Sequence, residues 1–84
     1  MSDQPLRLLK NAKLAIGAKQ TRKAIEAGLA KEVYIARDAE NHVVDKIIEL
    51  CKEKDINILY IDTMKELGEL CGIDVGAASI AVLK

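Results

Sequence analysis

The stretch Asn41-His42-Val43-Val44-Asp45-Lys46-Ile47-Ile48-Glu49-Leu50-Cys51-Lys52-Glu53-Lys54, with Ile58-Leu59-Tyr60-Ile61 after it, decides the fold class. Val43, Val44, Ile47, Ile48 and Cys51 recur at the three-and-four spacing of one helix face, which predicts a helix from about Asn41 to Lys54. Ile58 to Ile61 is a short aliphatic strand, and Val33 to Ala36 is the strand before the helix. Downstream, Thr63 with Glu66 three residues on forms a capping box. It opens a helix that carries Met64, Leu67, Leu70 and Cys71 and stops at Gly72, before a last strand from Ala78 to Leu83. Upstream, Lys13 to Ile16 is a strand ended by Gly17, and a helix from about Ala18 to Ala27 is closed by Gly28. At the start, Ser2 or Asp3 can cap a helix with Pro5 in its opening turn and Leu6, Leu8 and Leu9 on its apolar side. Helix and strand alternate four times. That order predicts an α/β fold with helices on both faces of a small sheet.

The 84 residues suit one domain, residues 1–84, without a linker, repeat or low-complexity tract. Half the residues are apolar and 31% are charged, which is a globular balance. A domain of this size buries only about 60–65% of the surface its unfolded chain exposes. The longest mostly apolar run, Ala77 to Leu83, falls far short of the roughly 18 residues a membrane helix needs. Ser2-Asp3-Gln4-Pro5 offers no basic and apolar leader, so a cytoplasmic chain that avoids membranes is expected. Cys51 and Cys71 both fit apolar helical stripes and are expected as structural thiols, not as a disulfide. Together with the lone His42 they do not make a four-ligand zinc site.

Enzyme chemistry finds little material. One histidine cannot serve a convincing nucleophile–base pair, and neither cysteine has an evident base beside it. Gly72 and Gly76 do not complete a dinucleotide fingerprint, and Gly17-Ala18-Lys19-Gln20-Thr21 lacks the spacing of a P-loop. No catalytic residue, metal ligand or cofactor is assigned.

Charge is more informative than its total. The net is zero, yet the chain through Lys23 holds six basic residues and one acid, a net of +5, and the remainder is −5. Lys19, Arg22, Lys23 and Glu26 share one stripe of the second helix, whereas Thr21, Ala24, Ile25 and Gly28 share the inward one. Gly17 directly follows a strand, and the helix after it begins with free amides and a positive dipole end, which favour an anion such as phosphate. Lys19 with Gln20 at this mouth could read guanine edges, or the stripe could be an ordinary solvated face. In the loop Gly72-Ile73-Asp74-Val75-Gly76, Ile73 and Val75 could face the core or support an unstacked nucleotide. Tyr34 and Tyr60 fall in strands, which disfavours a general single-strand binder built on aromatic stacking.

Gly17-Ala18-Lys19-Gln20-Thr21-Arg22-Lys23-Ala24-Ile25, then Gly28 to Lys31 leading into Val33-Tyr34-Ile35-Ala36, resembles the signature of the kink-turn-binding ribosomal proteins. This is the group of the archaeal "L-seven-Ae" and eukaryotic "L-thirty-e" proteins. Glu66-Leu67-Gly68 and Cys71 to Ser79 are similar to it as well, so the resemblance covers nearly the whole chain. The short length resembles the compact bacterial members of the YbxF type.

The resemblance implies a three-layer α-β-α sandwich around a small mixed four-stranded sheet. It also implies a monomer that binds structured RNA containing a kink-turn, a stem with a three-nucleotide bulge and tandem sheared G·A pairs. Ribosomal RNA and riboswitch RNA are the expected carriers. Gly17 to Lys23, and so Gly17 and Ala18, match the segment that enters the major groove at those pairs. Lys19 and Gln20 match the guanine contacts, and Lys23 a basic contact beside them. Ile73, Asp74 and Val75 match the segment packed on the bulge, and backbone around Arg37 and Asp38 lies near the RNA in relatives. Archaeal members carry Asn-Glu where this chain has Lys19-Gln20, which is similar to the "thirty-e" pattern instead. The alternative function is a protein–protein interaction module on the same fold, with the acidic remainder of the chain as its surface.

Overall fold

The computed structural model describes residues 13–84. The helix expected between Ser2 and Leu9, and the cations Arg7 and Lys10, lie outside the described residues. The chain runs β1 (Leu14–Ile16), α1 (Ala18–Glu26), β2 (Ala30–Ala36), α2 (Asn41–Lys54), β3 (Asn57–Ile61), α3 (Met64–Leu70) and β4 (Ser79–Leu83). The strands form one mixed sheet in the order β1-β4-β2-β3. β2 and β3 are parallel, and β4 is antiparallel to both of its neighbours. Parallel neighbours need a long crossover, which α2 supplies.

Strand pleating sorts the core into two layers. In β4, Ser79 and Ala81 pair with Ile35 and Val33, and the Ser79 hydroxyl meets Thr21 of α1. That face is covered by α1 and α2, which pack on each other and contribute the fully buried Ile25, Ile47 and Cys51. Ile80 points the other way, where α3 lies across β2, β3 and β4 and contributes the fully buried Leu67. Because β4 is covered on both sides, its sequence reads as a nearly continuous apolar run. The result is the expected three-layer α-β-α sandwich.

Two local readings need correction. β2 begins at Ala30, three residues ahead of the strand expected from Val33. Lys31 and Glu32 are poor strand formers, but pairing with β4 carries Ala30 opposite Leu83 and Glu32 opposite Val82, skipping Lys31 as a bulge. Gly28, placed by the helical wheel on the inward stripe, is exposed, because α1 has already ended at Glu26. It does serve as the left-handed closing residue, at φ +74°. Thr63 caps α3 as expected: its Oγ1 accepts from the Glu66 N–H at 3.0 Å.

Both cysteines are free. Cys51 is wholly buried and Cys71 half-buried, and burial pushes both thiols up to about 11.

A short chain of two hydrogen bonds lies inside the α1 layer. The Ser79 hydroxyl donates to Thr21 Oγ1 at 3.2 Å, and the Thr21 hydroxyl donates to the Ala15 carbonyl at 3.5 Å. Both side chains are fully buried. Thr21→Val is therefore expected to cost about 1–3 kcal/mol, since it strands the Ser79 hydroxyl without an acceptor. Adding Ser79→Ala should recover most of that loss, because an apolar pair has nothing left unsatisfied. Urea midpoints at an unchanged slope measure both. A double variant no more stable than Thr21→Val would show that the cost lies in packing.

Candidate nucleic-acid interface

The interface begins at the mouth of α1. Gly17 sits at φ +99° and ψ 159°, a backbone state that strains any residue with a Cβ. Its N–H donates to the Ser79 carbonyl at 2.9 Å, which anchors the helix entry to β4. The first intrahelical bond runs from the Thr21 N–H to the Gly17 carbonyl at 2.9 Å. The N–H groups of Ala18, Lys19 and Gln20 therefore lie ahead of the helical ladder. No side chain caps this start, and its first turn holds no acid. The positive end of the helix dipole is left open to an anion, with exposed Lys19 in the first turn, Arg22 in mid-helix and Lys23 in the last turn.

Hydrogen bonds tie this mouth to two other segments that are remote in sequence. The Ala36 N–H donates to the Ala78 carbonyl and the Arg37 N–H to the Ile61 carbonyl, at 2.9 and 2.8 Å. The Met64 N–H donates to Asp38 Oδ1 at 2.8 Å, and the Ala77 N–H donates to the Met64 carbonyl at 3.1 Å. The start of α1, the turn at Arg37 and Asp38, and the loop from Gly72 to Ala78 thus share one end of the sheet. Strand direction dictates this: β1, β2 and β3 finish where β4 begins.

Each residue singled out in the sequence can now be placed. Gly17 and Ala18 are half-buried in the helix entry, and Lys19, Gln20 and Lys23 are exposed. Asp74 and Val75 are exposed, Val75 at 69%, whereas Ile73 is half-buried with its N–H on the Gly68 carbonyl. Of the two apolar residues of this loop, Ile73 leans inward and Val75 outward. Asp38 is exposed, and its carboxylate serves the first amide of α3. The Arg37 guanidinium lies 5.1 Å from the Tyr60 ring centroid and its Nε 3.7 Å from Asp62 Oδ1. At such exposure the ion pair contributes little to stability.

Three exposed residues at this end were not singled out as functional in the sequence: Met64, Lys65 and Tyr60. The Thr63 cap was the available signal for Lys65, since it fixes that lysine in the first turn of α3. Tyr60 presents an exposed aromatic ring, but Arg37 already lies over one face. Among the described residues, no three His, Cys, Asp or Glu side chains converge as a metal site requires, and no helix is long and apolar enough to cross a membrane.

This geometry has relatives. An RNA-binding protein of Caldanaerobacter subterraneus subsp. tengcongensis is 64% identical over 69 residues, 82% of this chain and 84% of that protein. The RNA-binding protein YbxF of Geobacillus stearothermophilus is 38% identical over 78 residues, 93% of this chain and 95% of its own length. Among solved structures, the 15.5 kD RNA-binding protein of Giardia lamblia superposes with a TM-score of 0.85 at 27% identity. That match covers 99% of this chain and 73% of the Giardia chain. The model of the ribosomal protein L7Ae/L30e/S12e/Gadd45 family matches residues 2–84, a range that takes in every described element and the cationic helix mouth, and the chain belongs to that family.

Proposed function

We propose that this protein is a non-catalytic RNA-binding domain that recognises kink-turns. The observation that carries the reading is the joining of an uncapped, cationic helix mouth to an apolar loop tip, Val75, through bonded backbone at one end of the sheet. The two halves ask for different things. The helix mouth suits phosphate and guanine edges, and the exposed valine suits the face of an unstacked base. Regular A-form RNA offers phosphate but neither readable guanine edges, because its major groove is too deep and narrow for side chains, nor an unstacked base. A sharply bent RNA with a bulge and sheared G·A pairs offers both at once. Phosphate contacts would position the domain and base contacts would specify it. The RNA-binding names of the relatives support the same reading. We further place the protein in the cytoplasm as a monomer on ribosomal or riboswitch RNA.

The test is a titration against a short kink-turn duplex and a matched duplex without the bulge and G·A pairs, at a fixed salt of about 0.15 M. The expected result is strong preference for the kink-turn. Equal binding to both duplexes would sink the reading and turn the search toward a protein partner for the acidic remainder of the chain.

A further inference from the structure

α1 and α2 enclose an open cleft of about 520 Å³. Its floor is apolar, from Ala18, Val43 and Ile47, and its rim is Lys19, Arg22, His42 and Lys46. All four rim residues are exposed, and among the described residues no carboxylate lines the cleft. The rim comes from two helices at fixed spacing: Lys19 and Arg22 stand three apart on α1, and His42 and Lys46 four apart on α2. Lys19 belongs both to this rim and to the helix mouth, so the two surfaces are continuous. Further along the same helix pair a second cleft is lined by Arg22, Lys46 and Leu50 together with the carboxylates Glu26, Glu49 and Glu53. The sign of the groove therefore reverses between its two ends.

We infer that the upper cleft is a phosphate-tracking site for RNA, continuing the kink-turn interface along α1 and α2 and ending at the Glu26, Glu49 and Glu53 fence. The inference rests on the kink-turn reading and adds to it a direction. One strand of a stem flanking the G·A pairs runs off the helix mouth over Arg22 and Lys46, and the three glutamates repel it beyond that point. A polyanion is the occupant that the charge selects: the rim offers cationic and hydrogen-bonding side chains, and among the described residues no carboxylate opposes an anion there. Contacts of this kind carry affinity without sequence information, so they register in the salt dependence and not in the choice of base.

The experiment measures Kd between about 50 and 200 mM salt for wild type, Arg22→Gln, Lys46→Gln and, as a control at the far end of α2, Lys54→Gln. Each is titrated against a kink-turn with full flanking stems, one with each stem trimmed close to the G·A pairs, and the straight duplex. Each cleft variant should lower the salt slope on the full kink-turn by about one unit, and Lys54→Gln should leave it unchanged. Trimming the stem that the cleft holds should erase the difference between cleft variants and wild type. Wild-type slopes in both cleft variants, with the wild type still preferring the kink-turn, would overturn the cleft and leave the helix mouth standing. An equal fall in slope on the straight duplex would also overturn it, as mere non-specific attraction. Loss of kink-turn preference in the wild type would overturn the cleft and the underlying reading together.

Discussion

Gly68→Ala is expected to destabilise the protein by about 1–3 kcal/mol and to weaken kink-turn binding by about tenfold or more. Helix propensity argues for the opposite sign. Gly68 is inside α3, where alanine is favoured over glycine by about 1 kcal/mol. Packing decides the matter. A Cβ at Gly68 would fall on the Val75 carbonyl oxygen, 3.0 Å from the Val75 carbonyl carbon and 3.3 Å from Gly76 Cα. These are backbone atoms, so no rotamer change can clear them. Nor can the loop slide easily, because Gly76 already lies against Met64, where an added Cβ would meet side-chain and backbone atoms at 3.1–3.3 Å. The loop must lift from α3, taking Val75 out of line with the α1 mouth. Urea unfolding and RNA titration on the same preparation read the two effects. A variant as stable as wild type that still binds in full would show that the loop position is not set by this contact.

The second large effect concerns the helix mouth itself. Lys19→Ala and Gln20→Ala are each expected to cost about 1–3 kcal/mol of kink-turn affinity, by analogy with good base-edge contacts. Being neighbours, they should combine non-additively. The diagnostic quantity is the ratio between kink-turn and straight duplex. Removing a contact to guanine edges should collapse that ratio, because the lost interaction exists only on the bent RNA. Removing a non-specific attraction to phosphate should weaken both RNAs together. Both side chains are exposed and neither makes a described hydrogen bond within the fold, so stability should stay within about 0.5 kcal/mol of wild type. Unchanged affinity and ratio in both variants would remove this pair from recognition.

The positions that sequence reading handled well are those governed by local physics. The bounds of α2, Asn41–Lys54, follow from the spacing of Val43, Val44, Ile47, Ile48 and Cys51, and they coincide with the observed helix. The Thr63 cap and the left-handed closures at Gly28 and Gly72 also depend on a few neighbouring residues. So does the cationic mouth of α1, where Gly17, Lys19, Gln20 and Lys23 stand within one helical turn or two of each other.

What sequence reading missed was set at long range. The start of β2 at Ala30 depends on pairing with Leu83, which local strand propensity does not register. The Asp38 carboxylate bonds an amide 26 residues away, and the hydroxyl of Ser79 meets that of Thr21 across 58. Sequence alone determined the α/β alternation, the helix faces and the chemistry available at the α1 mouth, because periodicity, capping and charge act over a few residues. Tertiary structure decided that Arg37, Asp38 and Val75 share an end of the sheet with that mouth, and that Gly68 admits the loop. It also decided which lysines of two separate helices face one cleft, because such placements depend on strand order and packing between segments far apart in the chain.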